Sequence, residues 1–525
     1  MITTGIIKKS QYFDSVSLMI VAKEINKLEG VVDSAVVMGT KENKSILKTS
    51  GLIIPEFQNS EDTDLLIVIK AETKQVAGSV LSKIDEHLHK LKEKDENTDE
   101  FSPLSFDNAI KILPDANLAL ISVPGRYAGN EALKALQQGL HVMIFSDNVP
   151  IETEVELKKY AIENNLLLMG PDCGTAIING VPLAFANVVN RGEVGIVAAS
   201  GTGLQEVSSI ISNRGAGISQ AIGTGGREVS KEVGGLMFIE AIKSLLTDKS
   251  TKVILLVSKP PAVEVLGKIA AVLKENKKPV VAVFLNADAE IVKNYDMLTA
   301  SSLEEGALIA TALAGGSNVE DVTKEITERD FKLRIFADQE VAKFNKNQKY
   351  IRALFSGGTF CSETQVLFKS LSEEVYSNAP TGKSLVLTDS WKSEKHTVVD
   401  LGADEFTIGK PHPMIDYSIR SRRIIDEAND PETAVILLDI VLGYGANMSP
   451  VAEIVPVIKE AKRIAQNSNR YLSVICSVTG TNKDPQNRAQ VVAGLKEAGA
   501  VVMESNAAAS KFAALIIKKL NGTRI

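Results

Sequence analysis

Cysteine is scarce in this chain of 525 residues: only Cys173, Cys361 and Cys476, far apart. Three scattered thiols exclude a disulfide framework and point to a reducing, cytoplasmic setting. With no CxxC and no cysteine–histidine cluster, a zinc site is excluded too. No apolar run reaches about 18 residues, so a membrane helix is not expected. Residues 1–14 lack the apolar core of a signal peptide. A basic surplus is also missing: 58 Lys and Arg face 65 Asp and Glu, for a net charge of −7. That argues against a nucleic-acid binder. It leaves small anions open, because backbone N–H groups and one arginine can hold a phosphate on an acidic protein. No GxxxxGK[ST] is present, so P-loop hydrolysis of ATP is not supported.

The chain does have ample core material, 44% hydrophobic against 23% charged. Its length suits roughly three domains of about 150 residues. Short apolar runs at 64–70, 118–123, 142–145, 166–169, 194–198, 253–258, 280–284, 350–355, 434–439 and 471–476 read as strands. Most lack alternation, as parallel strands buried on both faces do. Segments 131–138, 154–163 and 262–275 have the length of crossover helices. The fold class expected is α/β with parallel, doubly wound sheets. The charge run at 90–100 reads as a solvated loop or helix end, and 315–347 as a charged, helical linker. The units expected are a Rossmann-like domain at 1–170 and two flavodoxin-like domains at 171–335 and 346–525.

Three glycine turns follow apolar strands: Ser200-Gly201-Thr202-Gly203, Gly223-Thr224-Gly225-Gly226 and Ser356-Gly357-Gly358-Thr359. The first and third repeat one pattern, VGIVAASGTG and RALFSGGTF. A strand that runs through such a turn into a helix presents free N–H groups at a positive helix start. Glycine lets a phosphate or carboxylate approach the backbone. All three turns are candidate anion sites. Arg227 directly follows the second and is suited to two-bond contact with phosphate or carboxylate. His412 sits in a proline-stiffened loop, Gly409 to Asp416, as candidate acid/base, with Asp416 near enough in sequence to orient it. His396 is a weaker candidate. Cys173 reads as a buried thiol, and His87, His89 and His141 are given no role.

Residues 118–178, ending in MGPDCGTAII, resemble the end of the CoA-binding domain of the succinyl-CoA synthetase alpha subunit; 192–226, with its two glycine turns, continues the likeness. FANVV at 185–189, GTGGRE at 223–228, SKPP at 258–261, LFSGGTFC at 354–361, GKPHPMID at 409–416 and LLDIVLGYGA at 437–446 resemble signatures of the FdrA family, described as acyl-CoA synthetase-like. The departures from the synthetase matter more. The loop that should carry its phosphohistidine reads NADAEIVKNYDMLTASSLEEGA, without a histidine. Its orienting glutamate is replaced by the Ser258–Lys259–Pro260 stretch. The first βα turn, at 8–17, has no glycine to cradle CoA. No cofactor or metal is therefore assigned, and CoA by the usual loop is not supported.

What the FdrA resemblance implies is one subunit of an oxamate carbamoyltransferase, taking oxalurate and phosphate to oxamate and carbamoyl phosphate in anaerobic allantoin breakdown. Implied partners are those small anions, further subunits and a second copy of the chain. Such chemistry needs donors that hold phosphate and stabilise a tetrahedral oxyanion, which the three turns offer. The Ser-x-Arg-Thr-Arg phosphate motif of ordinary transcarbamylases is absent. Alternatives are an acid–thiol ligase using CoA and nucleotide, and a scaffold subunit that keeps the fold without chemistry.

Overall fold

In a computed structural model the described residues are 1–85 except 10, 12, 14 and 27, then 103, 105–288, 292, 295, 297–345, 347–371, 374–407 and 410–522. The charge run at 90–100, His87, His89 and Gly409 lie outside them, as do parts of the 8–17 turn and of the 286–307 loop region. The chain divides into two compact units, Met1–Pro114 with Asp404–His412, and Asp115–Ala403 with Pro413–Ile525.

The smaller unit departs from expectation. Its strands Ile2–Lys8, Val31–Met38 and Leu65–Ala71 form an antiparallel sheet with the last in the middle. The parallel order expected over 1–170 therefore does not extend to the first 85 residues. The edge strand Val31–Met38 alternates in burial, as a strand with one covered face does. The middle strand is covered on both faces. Leu65, Ile67 and Ile69 pack with Leu18, Val21 and Ile25, while Leu66 and Val68 pack with Leu47, Ile54 and Phe57. The β-α-β connection with a third strand between its two strands is a split βαβ unit.

The larger unit bears out the α/β class with parallel sheets. A three-stranded parallel sheet, Leu118–Ile121, His141–Ile144 and Leu168–Met169, comes first. A seven-stranded sheet follows, in the order Leu298–Thr299, Val280–Phe284, Val253–Ser258, Arg191–Ala198, Ile218–Gly223, Thr175–Ile178, Val181–Ala184. Its first five strands are parallel and its last two form an antiparallel hairpin. The hairpin turns on Asn179 and Gly180, both at positive φ (51° and 84°), a short-range signal that the apolar-run reading passes over. A second seven-stranded sheet is parallel throughout, with Tyr350–Phe355 between His396–Asp400 and Thr433–Val441. The expected linker is a helix, Val319–Val341.

Both large sheets share one core. Helices Gly201–Asn213, Leu303–Ala314, Gly358–Leu367 and Asn506–Leu520 contribute Leu204, Ala307, Phe360 and Phe512 to it, beside Ile196, Phe355 and Leu437 of the strands. Two buried carboxylates within that layer are held by hydrogen bonds. Glu206 accepts from Thr479 Oγ1 (2.5 Å) and Asn506 N (3.0 Å), and Glu363 from Leu303 N (2.7 Å) and Asn506 Nδ2 (2.8 Å). Burial, with the charges of Glu206 and Glu304 nearby, raises the Glu363 carboxyl from 4.5 to about 7. A carboxyl raised in the folded state binds its proton more tightly there than in the unfolded chain. Its contribution to stability is thus complete below about pH 4.5 and is lost as pH climbs through about 7. Glu363→Gln is expected to flatten the fall in melting temperature between pH 5 and 8, an effect of roughly 3 kcal/mol at the alkaline end. Thermal melts across that range give the answer; unchanged slopes would place the proton elsewhere.

Candidate functional site

Each large sheet reverses its winding at one strand. From Arg191–Ala198 the chain goes first to Ile218–Gly223 on one side and then to Val253–Ser258 on the other. From Tyr350–Phe355 it goes to His396–Asp400 on one side and Thr433–Val441 on the other. In open parallel sheets ligands bind at the C-terminal ends of such strands. The first and third glycine turns stand at those two ends.

The structure brings these two turns together. Ser200 Oγ lies 2.6 Å from Thr359 Oγ1. Ser200 caps helix Gly201–Asn213, its Oγ accepting from Gly203 N at 3.0 Å. The amides of Gly201 and Thr202, and those of Gly358 and Thr359 in the other helix, belong to first turns that have no intrahelical acceptors. Gly357 makes the approach possible. A Cβ there would lie 2.8 Å from Thr202 Cγ2 and 2.9 Å from Thr202 Oγ1. Two positive helix starts thus converge, and a divalent anion is the natural complement of such a pair.

Part of the third turn is already committed. Asp439, fully buried on the neighbouring strand, accepts from Ser356 N (2.9 Å), Ser356 Oγ (2.7 Å) and Gly357 N (3.0 Å). Arg420 Nη2, also fully buried, sits 3.4 Å from that carboxylate. Asp400, at the end of His396–Asp400, holds Oδ2 2.7 Å from where a Cβ on Gly358 would be. Neither aspartate stands out in the sequence, since Asp400 ends an apolar strand and Asp439 lies within one, both many residues away. The donors left for a ligand are therefore the later amides, with whichever of the Ser200 and Thr359 hydroxyls accepts from the other.

The second turn differs from expectation. Gly223-Thr224-Gly225-Gly226 does not open a helix, because the next one is Leu236–Thr247. Thr224 N and Oγ1 both point back to Ala198 O, at 2.8 and 3.3 Å. Gly225 has φ +94° and passes so close to Pro171 that a Cβ would lie 2.2 Å from its carbonyl oxygen. The start of helix Leu236–Thr247 is taken by Glu228 Oε1, which accepts from Met237 N (2.6 Å) and Phe238 N (3.1 Å). Arg227 Nη2 donates to Val149 O (2.8 Å) and lies 2.7 Å from Glu154 Oε2. Lys158, wholly buried, joins Glu154 Oε1 (2.6 Å), Glu228 and Thr224 O. Two acids and two bases thus close a neutral knot beneath the turn. Lys158→Met is expected to cost about 3–5 kcal/mol, because it removes the buried cation that Glu154 and Glu228 share. A denaturant titration reads this directly, and a loss below about 1 kcal/mol counts against the paired geometry.

The remaining candidates fall out as follows. His412 groups with the smaller unit and is half-buried; Asp416 groups with the larger, where its Oδ1 accepts from Ser418 N at 2.7 Å. His396 is fully buried, its Nδ1 accepting from Ile351 N at 3.3 Å. Burial and the charge of Arg352 press its pKa down to about 4, so it stays neutral and structural. His141 Nδ1 accepts from Leu167 N at 3.0 Å. Burial pushes the Cys173 thiol up to about 12, which suits its reading as an inert core residue.

Three family descriptions match. "CoA-ligase" covers residues 354–516, "CoA binding domain" 189–285, and "AllF, heavy metal-associated domain" 1–103. The CoA-binding match lies not at 1–170, where the sequence placed it, but over the strand–turn–helix that contains Ser200. A soft heavy metal prefers thiolates, and residues 1–103 contain no cysteine. Among the described residues no group of three or more His, Cys, Asp or Glu is placed to hold a metal ion, so a thiolate metal site does not fit. No helix of the described residues is long and apolar enough to cross a membrane. The chain is 31% identical over 173 residues to the succinate–CoA ligase alpha subunit of Aquifex aeolicus, across 32% of this chain and 55% of that one. A solved structure, PH0766 from Pyrococcus horikoshii, aligns over 78% of this chain and 86% of its own at 16% identity and TM-score 0.31. The chain is also 42% identical over 501 residues to the Escherichia coli protein YahF, itself uncharacterised, spanning 95% of this chain and 96% of that one. With that coverage, and with its CoA-ligase and CoA-binding segments, the chain belongs to the YahF family within the acyl-CoA-synthetase-like superfamily of succinate–CoA ligase alpha subunits.

Proposed function

We propose that the chain is the phosphate-holding subunit of an enzyme that transfers a carbamoyl group, converting oxalurate and phosphate to oxamate and carbamoyl phosphate. The observation that carries the phosphate part is the meeting of Ser200 and Thr359 across two helix starts. The carbamoyl part rests on the likeness to the FdrA family. In the reaction a phosphate oxygen attacks the ureido carbon of oxalurate, the bond from that carbon to the oxamate nitrogen breaks, and that nitrogen takes up a proton. The amides of Gly201, Thr202, Gly358 and Thr359 hold the phosphate. The same amides neutralise the oxyanion of the tetrahedral intermediate. Arg227 would bind the substrate carboxylate.

A second reading, an acid–thiol ligase using CoA and nucleotide, is favoured by the match of residues 189–285 to CoA-binding domains. The turn within that match is glycine-rich, unlike the one at 8–17, so a CoA pyrophosphate fits it as phosphate does. A scaffold subunit without chemistry is the third. The discriminating assay supplies oxalurate and phosphate to the chain alone and then to the chain with the products of neighbouring genes. Release of oxamate supports carbamoyl transfer. Thioester formation from CoA and ATP, with no oxamate, supports the ligase. Turnover that survives Arg227→Ala removes that side chain from the mechanism.

A further inference from the structure

Gln205 stands on helix Gly201–Asn213, one turn below the candidate site. It is 1% exposed, and neither its Nε2 nor its Oε1 has a hydrogen-bond partner within the chain. Burying a carboxamide with both ends unmet is costly, and such groups are rare in native folds. Its position says where the group is directed. Gln205 lies four residues after Gly201 and three after Thr202, so the three share a helix face. Side chains on a helix tilt toward its N-terminus, which carries the carboxamide up toward the first-turn amides. Gly201 leaves room there, since the nearest atom to a Cβ at that position would be Thr175 Oγ1, 3.7 Å away. Its neighbour Glu206 does not compete, being held by Thr479 and Asn506. One turn further on, Ser209 Oγ is also buried without a partner.

We propose that Gln205 is the specificity residue for a carbamoyl group. Its Nε2–H donates to the ligand's carbonyl oxygen and its Oε1 accepts from the ligand's –NH2, while the ligand's phosphate rests on the amides of Gly201 and Thr202. The inference rests on the reading of the paired helix starts as a phosphate site. The chemistry is selective because a carboxamide needs a donor and an acceptor side by side. A carbamoyl group supplies both. An acetyl group supplies only the acceptor, and an ionised carboxylate only acceptors, so either leaves Oε1 unmet.

The test is calorimetric titration of the full chain with carbamoyl phosphate, acetyl phosphate and inorganic phosphate. The wild type is expected to prefer carbamoyl over acetyl phosphate by about 10- to 100-fold, the worth of leaving one buried polar group unpaired. Gln205→Met, close in size and apolar, is expected to erase that preference and leave inorganic phosphate binding unchanged, which also reports that the variant is folded. Gln205→Asn, which withdraws the same groups by one methylene, serves if the methionine variant does not fold, and should lose the preference as well. Phosphate binding without any carbamoyl preference in the wild type, or a preference that survives the substitution, overturns this inference alone. Failure of inorganic phosphate to bind the wild type overturns the phosphate site and the inference with it.

Discussion

Gly357→Ala should weaken phosphate binding by about 100-fold, the scale on which a misplacement near 1 Å acts at a reacting centre. The methyl group would arrive 2.8 Å from Phe360 Cδ2 and 2.8 Å from Thr202 Cγ2. Neither neighbour has room to retreat: Phe360 is fully buried and Thr202 is 8% exposed. Relief comes only from moving one helix start away from the other, which breaks the Ser200–Thr359 contact. Overpacking of this kind also costs about 1–3 kcal/mol of stability. The control is Gly267→Ala, inside helix Val263–Leu273, where an added Cβ meets nothing within 4 Å. That change should stabilise by up to about 1 kcal/mol through helix propensity. Titration with inorganic phosphate and a thermal melt on both variants decide the matter. Normal phosphate affinity in Gly357→Ala would mean that the two helix starts do not act on one ligand.

Asp439→Ala should destabilise the larger unit by about 3–5 kcal/mol, because the buried Arg420 loses its counter-ion. The guanidinium has no route to water, since it is fully buried and stacks over the Tyr417 ring at 4.9 Å from the centroid. The same substitution leaves Ser356 N, Ser356 Oγ and Gly357 N without their acceptor. The turn should then loosen where it faces Ser200, so binding should fail in the fraction that remains folded. Asp439→Asn separates the two effects. It retains a carbonyl oxygen for one donor and removes the charge, so it should still lose most of the stability while keeping some geometry. A drop below about 1 kcal/mol in Asp439→Ala would show that Arg420 finds another partner.

Much of the larger unit was legible because its strands are apolar on both faces. The runs at 253–258, 280–284 and 350–355 coincide with strands Val253–Ser258, Val280–Phe284 and Tyr350–Phe355. The repeated strand-then-Ser-Gly pattern also pointed to Ser200 and Thr359 before any fold was known. What sequence could not say is which turns meet, since that is set by packing 159 residues apart. Nor could it find Lys158, which reads as one more charge in EVELKKY yet is wholly buried. Asp439 was hidden for the opposite reason, as the last polar letter in a run of leucines. The smaller unit was less legible because its edge strands, Ile2–Lys8 and Val31–Met38, are only half-buried and carry polar residues, so neither forms a continuous apolar run. Arg227, marked as a candidate anion ligand by the glycines before it, also donates to Val149 O and pairs with Glu154, contacts that no motif announces.

The strand orders also set a timetable for synthesis. Strand Arg191–Ala198 leaves the ribosome before either of its parallel neighbours, and its far partner Val253–Ser258 follows some fifty residues later. Parallel neighbours cannot close by a hairpin, so each pairing waits for a whole crossover. Strand Tyr350–Phe355 repeats the delay, being completed only when Thr433–Val441 emerges. Until then the central strands of both sheets carry bare edges of largely apolar sequence, the kind of surface that pairs with other chains. The nascent protein is therefore most vulnerable in the middle of its translation, and brisk elongation through residues 199–252 and 356–432 shortens that exposure.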